Sequence, residues 1–132
     1  MKVYKVQMVG NLMVVRAYLR GPEAEAYPRL LVDTGSTYTI IAHELLESIG
    51  CSPALAKERR RVTTASGYEM LPVVQVQQFR CLGQSMEDTY VLAHTFPFGT
   101  YVDGLLGMDF MRRFWLEIRP FSGEIAVRDE TP

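Results

Sequence analysis

The stretch Leu30-Leu31-Val32-Asp33-Thr34-Gly35-Ser36-Thr37 concentrates the chemistry of this sequence. An aliphatic run ends abruptly in a carboxylate, followed by hydroxyls around a glycine. Taking a carboxylate out of water is expensive unless hydrogen bonds compensate it or it has a task. Gly35 allows close backbone approach, and its amide can donate to Asp33. Thr34 and Ser36 supply short hydroxyls that can fix the loop. Asp, Thr, Gly and Ser also form ordinary turns, and the bare triplet Asp-Thr-Gly reads that way. The aliphatic run before it, and a second apolar-glycine element at Gly104-Leu105-Leu106-Gly107, give the segment more weight. A carboxylate so placed can take a proton from water as a base or return one as an acid. Doing both at one water at the same moment takes a second group, and another carboxylate is one that can serve. Two held close together share a proton and titrate as a coupled pair.

The second carboxylate has two sources. Within the chain, Asp103 and Asp109 flank the Gly104–Gly107 element and stand ahead of Glu44, Glu47 and Asp88 as candidates. The other source is Asp33 of a second copy, since a twofold axis turns one motif into two at no sequence cost.

The elements that must position Asp33 are short. Tyr4, Val6 and Met8 alternate with Lys5 and Gln7 across Val3–Val9, which predicts a strand with one wet face. Gly10-Asn11 turns the chain into a second strand, Leu12–Leu19. Tyr27–Val32 forms an internal strand that ends at Asp33, and strand composition resumes over Thr37–Ile41. Ala42, Leu45, Leu46 and Ile49 then recur at helical spacing, with Gly50 to close the helix. Arg59–Thr64 and Tyr68–Phe79 bracket Ala65-Ser66-Gly67 and read as a hairpin; at Pro72 its second arm is at an edge or lacks a ladder bond. Met86–Ala93 is a further strand, Phe96–Thr100 a loop, and Tyr101–Leu106 leads into Gly107. Met108–Arg113 makes a helical turn or two, and Phe114–Ile118 with Glu124–Arg128 forms a terminal hairpin. About nine short strands and little helix favour an all-β, barrel-like or folded-sheet domain over alternating βαβ units, with residues 1–132 as one domain.

Composition removes several classes. With 14 basic and 15 acidic residues the net charge is -1, which does not favour nucleic acid as a partner. The basic run Arg59-Arg60-Arg61 reads as solvated. No apolar stretch reaches the roughly 18 residues of a membrane helix, and the N-terminus lacks the pattern of a secretory signal. A cytoplasmic location, or excision from a longer protein, is the expectation. Cys51 and Cys81 read as reduced thiols, with a single bridge between them left open. His43 and His94 stand apart, and no ligand cluster of zinc spacing occurs.

The segment Leu31-Val32-Asp33-Thr34-Gly35-Ser36 resembles the active-site signature of the aspartic peptidases, and Leu105-Leu106-Gly107 resembles the element that supports that signature. One signature in a chain of this length is similar to the single-domain, retroviral-type (retropepsin-like) branch, over residues Tyr4 to Val127. The resemblance implies an all-β, closed barrel-like acid-protease fold with one or two short helices and a flap hairpin, and a homodimer in which each chain contributes Asp33 as catalytic residue. It implies that Thr34 bonds across the dimer, that Gly35 supports the carboxylate and substrate, and that Ser36 is the small residue that follows. Thr64-Ala65-Ser66-Gly67-Tyr68 falls where the family carries its flap. Leu105, Leu106 and Gly107 support the site. Met108-Asp109-Phe110 departs from the Arg-Asn continuation of viral members and looks like that of cellular and retroelement relatives. The implied activity is endopeptidase cleavage of an extended peptide, bound in strand fashion, without metal or organic cofactor. Leu31, Val62, Met70, Leu105 and Leu106 shape side-chain pockets or serve as core.

Three other readings compete. A catalytically silent domain of this fold would dimerise or bind peptide. A phosphoryl-transfer enzyme would want an acid close after Asp33 and a metal, and Thr34-Gly35-Ser36-Thr37 holds no acid. A nucleophilic Ser36, Ser66, Cys51 or Cys81, with His43 or His94 as base, lacks the sequence context such nucleophiles carry.

Overall fold

The computed structural model describes residues 1–64, 66–97 and 100–128. In chain order the elements are β1 (Lys2–Lys5), β2 (Gln7–Val9), β3 (Leu12–Arg16), β4 (Tyr18–Arg20), β5 (Glu25–Ala26), β6 (Arg29–Val32), β7 (Ile40–Ala42), α1 (His43–Ser48), a 3-10 turn (Pro53–Leu55), β8 (Arg59–Thr64), β9 (Gly67–Cys81), β10 (Gln84–His94), β11 (Gly104–Leu106), α2 (Met108–Met111), β12 (Trp115–Arg119) and β13 (Glu124–Arg128).

The expected closed barrel does not form. The large sheet is open and mixed, in the order β2-β3-β6-β11-β7-β10-β9-β4-β5, with β8 attached to β9. Two of its pairings, β11 with β6 and β10 with β7, are parallel. The terminal strands stand apart as a three-stranded sheet, β1-β13-β12. The opening lies on one edge of β3 and β4, where two different strands pair in succession: β2 with Gln7 opposite Val14, and β9 with Arg80 opposite Tyr18. The predicted strand Leu12–Leu19 breaks at Ala17, so that β3 pairs with β6 while β4 turns to β9. Opposite the break stands Pro28, which has no N–H to donate and separates β5 from β6; Ala17 N donates to its carbonyl at 2.9 Å.

Helix α1 lies within the predicted span, and its end is tied by Gly50 N to the Glu47 carbonyl at 3.0 Å and Cys51 N to the Leu46 carbonyl at 2.9 Å. Neither described helix is long and apolar enough to cross a membrane. The hairpin of β8 and β9 forms with Thr64 opposite Gly67.

The central strands read as unbroken apolar runs because both of their faces are covered. Leu30, Ile41 and Leu106 turn into the main core with Leu19, Leu46 and Ile125. Their neighbours Ile40 and Leu105 turn the other way, into a second cluster with Leu71, Leu92, Tyr38 and Val62. That second cluster underlies the hairpin.

Candidate active site

Strand β11 slots between β6 and β7, parallel to the first and antiparallel to the second. Leu105 faces Leu31 in register and Leu106 faces Val32. The ladder then extends one residue further, because Asp33 N donates to the Leu106 carbonyl at 3.1 Å. The carboxylate is thus carried on the end of a fully paired central strand.

Beyond it the chain turns tightly, with Ser36 N donating to the Asp33 carbonyl at 3.1 Å. Gly35 N donates to Asp33 Oδ1 at 2.9 Å. A Cβ at position 35 would lie 3.2 Å from that same oxygen. Ser36 Oγ donates to the Tyr38 carbonyl at 2.7 Å, and the Ser36 carbonyl accepts from Met108 N at 2.8 Å, so the loop is locked to the start of α2. Asp33 is half-buried. Thr34 is exposed, and its hydroxyl has no hydrogen-bond partner among the described residues.

Gly104 and Gly107 permit this threading. A Cβ on Gly107 would lie 2.3 Å from the Tyr38 carbonyl oxygen, and one on Gly104 2.2 Å from that of Ile40. Thr39, only 3% exposed, completes the lock. Its hydroxyl donates to Asp109 Oδ1 at 2.8 Å and accepts from Gly107 N at 3.2 Å, while Thr39 N donates to Asp109 Oδ2 at 3.0 Å. Asp109 is therefore engaged in holding α2 against the Asp33 loop. Asp103 is engaged at the far end of β6, where Oδ2 accepts from Arg29 N at 2.9 Å. Neither candidate intrachain partner reaches Asp33.

Asp33, Gly35 and Ser36 open onto a cleft of about 570 Å³. Val62, Thr63, Glu69 and Leu71 of the hairpin line it from one side; Ile40, Leu105, His94 and Phe96 also contribute. Of the residues predicted to shape pockets, Val62 and Leu105 line this cleft. Leu106 is wholly buried in the main core, Met70 is exposed, and Leu31 is absent from the lining. Ser66, Gly67 and Tyr68 are exposed at the hairpin tip; Ala65 and the side chain of Thr64 lie outside the described residues.

Sequence reasoning passed over Tyr38, Glu69 and His94 as cleft residues. Tyr38 was within reach, two positions past Ser36. His94 was not, because only the parallel pairing of β10 with β7 brings it there. Its Nδ1 stands 3.9 Å from Glu69 Oε2, across from the hairpin. The alternative nucleophiles are disfavoured by their surroundings. Ser36 Oγ is donated to a carbonyl. Cys51 and Cys81 are free, buried thiols. Burial pushes the Cys81 thiol up to about 12 and raises that of Cys51, with the Glu23 carboxylate adding to the latter.

The site is thus an aspartate at the end of a central strand, held by the glycine amide two residues on and backed by an inserted apolar-glycine strand. Comparison with known proteins gives the family. The family model described as Aspartyl protease matches residues 15–110, and the chain belongs to that family. A crystal structure of a retropepsin-like aspartic protease from Rickettsia conorii superposes with a TM-score of 0.67 at 17% identity, covering 96% of this chain and 91% of that one; the two share the retropepsin-like fold. No curated protein matches.

Proposed function

We propose that the protein is an aspartic endopeptidase whose active site is completed by a second copy. The observation that carries this reading is Asp33 itself: half-buried, hydrogen-bonded by Gly35 N, and open to a cleft large enough for several side chains. The reaction needs a base and an acid at one water. The in-chain candidates are occupied, Asp103 by Arg29 and Asp109 by Thr39. Asp33 of a twofold-related chain supplies the missing group. One carboxylate takes the water's proton as the oxygen attacks the peptide carbonyl; the other, protonated, donates to the carbonyl oxygen, and the proton passes to the leaving amine. The exposed Thr34 hydroxyl is free to bond across such an axis. The hairpin of β8 and β9 acts as the flap, pairing with an extended peptide and covering it.

The test combines two measurements. Cleavage of a denatured protein substrate across acidic and neutral pH, blocked by a hydroxyethylene-type inhibitor, should disappear in Asp33→Asn. Sedimentation should find both forms dimeric. Full activity in Asp33→Asn, or cleavage by a strict monomer, would reject the scheme. A folded dimer with no inhibitor-sensitive cleavage at any pH would identify the silent, peptide-binding alternative.

A further inference from the structure

A second cleft, of about 490 Å³, lies along the seam where the large sheet stays open. It follows the break at Ala17, between the part of the chain that pairs with β6 and the part that pairs with β9. Buried Val15, Ala17 and Leu82 give it an apolar lining. Among the described residues its charged side chains are Lys5, Arg16, Arg29 and Arg80, and no carboxylate lines it. In a chain with 14 basic and 15 acidic residues, that is a local departure from an almost balanced whole.

The strand register sharpens the point. Arg16 on β3 sits directly opposite Arg29 on β6. Like charges placed opposite one another on antiparallel strands destabilise a sheet. Asp103 answers only one of them, from 3.9 Å. Among the described residues, no carboxylate lies within ion-pair distance of Lys5, Arg16 or Arg80. The guanidinium groups are nonetheless held in place. Arg16 Nη1 donates to the Tyr27 carbonyl at 3.1 Å, and Arg80 lies 4.5 Å from the centre of the Tyr18 ring. The Tyr18 hydroxyl in turn donates to Glu25 at 2.6 Å. These contacts orient the cations without neutralising Arg16 or Arg80.

We infer that this cleft docks an acidic, extended peptide segment. Its carboxylates meet the Arg16–Arg29 pair and Arg80 through charge-assisted hydrogen bonds, for which the planar guanidinium is well shaped. Its apolar side chains cover the lining at Val15, Ala17 and Leu82. The choice of a peptide over another anion rests on the peptidase reading and on that apolar lining. The site shares no lining residue with the Asp33 cleft. Arg29 and Asp33 bracket β6, roughly 13 Å apart at about 3.3 Å per strand residue. A segment held here is a second anchor on the substrate or partner, apart from the bond that is cut.

Binding is measured without turnover, on Asp33→Asn protein, by fluorescence anisotropy of a short labelled peptide of alternating Glu and Val. Saturable binding is expected at low salt. It should weaken by about tenfold or more between ~50 and ~500 mM salt, as charge pairing is screened, and to a similar degree in the double variant Arg16→Gln, Arg80→Gln. Arg16→Gln alone guards against a misfolded double variant: it should leave the melting temperature of the free protein unchanged or higher, and should diminish the rise that peptide produces. No saturable binding, binding indifferent to these substitutions, or equal binding of inorganic phosphate or single-stranded DNA would overturn the proposal. A chain that cleaves but ignores the acidic peptide loses this site and keeps the peptidase; one that binds it without cleaving in the Asp33 form does the reverse.

Discussion

The carboxylates of this protein are sorted by what reaches them. Asp33 receives one local amide and faces open space, whereas Asp109 is surrounded by donors from Thr39 and Phe110. Thr39 is the hinge of that sorting, because one hydroxyl serves both Asp109 and the Gly107 amide. Thr39→Val keeps the shape and deletes both bonds, leaving a buried amide unsatisfied. It should cost about 2 kcal/mol in urea unfolding, and it should lower activity by loosening α2 from the Asp33 loop. Cys81 gives a second prediction at this scale. Burial lifts its folded pKa from about 9 to about 12. Below pH 9 the thiol is neutral in both states, and its contribution to stability is fully present. Between about pH 9 and 12 the unfolded chain ionises first, so stability is lost at up to ~1.4 kcal/mol per pH unit. Cys81→Ala should flatten this part of the stability profile, measured against the parent protein.

The inserted strand β11 is the element on which the site depends. It has three residues, yet it pairs on both edges, supplies the carbonyl that receives the Asp33 amide, and buries Leu106 completely. Its glycines exist for close approach. Gly107→Ala forces a methyl against the Tyr38 carbonyl, and the main chain must move to admit it. A loss of at least about 2 kcal/mol is expected, with hydrogen exchange rising first at Asp33 and Ser36. The hairpin is the other decisive element. Val62 and Leu71 root it in the second core cluster, and Arg60 lies 5.6 Å from the centre of the Tyr38 ring, which belongs to the Asp33 loop. Arg60→Ala should untie the two. On the proposal that the hairpin covers bound peptide, KM should rise more than kcat falls, and exchange should quicken in β8 while the main core stays protected.

At the scale of the molecule, the open sheet and the single aspartate set the expectations. A site built from two copies has an activity that depends on concentration. Specific activity should fall on dilution below the dimer dissociation constant, with the rate approaching second order in protein. Thr34→Val should shift that dependence to higher concentration without lowering the melting temperature of the folded chain, since Thr34 is exposed and bonds to nothing among the described residues. A rate strictly proportional to protein at every dilution would contradict the shared site.

The sequence by itself determined the local facts. Abrupt change from aliphatic to carboxylate at Asp33, the glycines at 104 and 107, the helical period over Ala42–Ile49 and the hairpin about Gly67 are all visible as residue types at short spacing, where local sterics and solvation decide the outcome. Tertiary structure decided what depends on distant partners. Whether the sheet closes turned on β2 and β9 taking successive stretches of one strand edge; which acid is left free turned on Thr39 and Arg29 claiming Asp109 and Asp103. His94 entered the cleft, and Arg16 came to face Arg29, through pairings between strands far apart in the chain. Register across such strands is chosen by the packing of whole faces, and no single segment carries it.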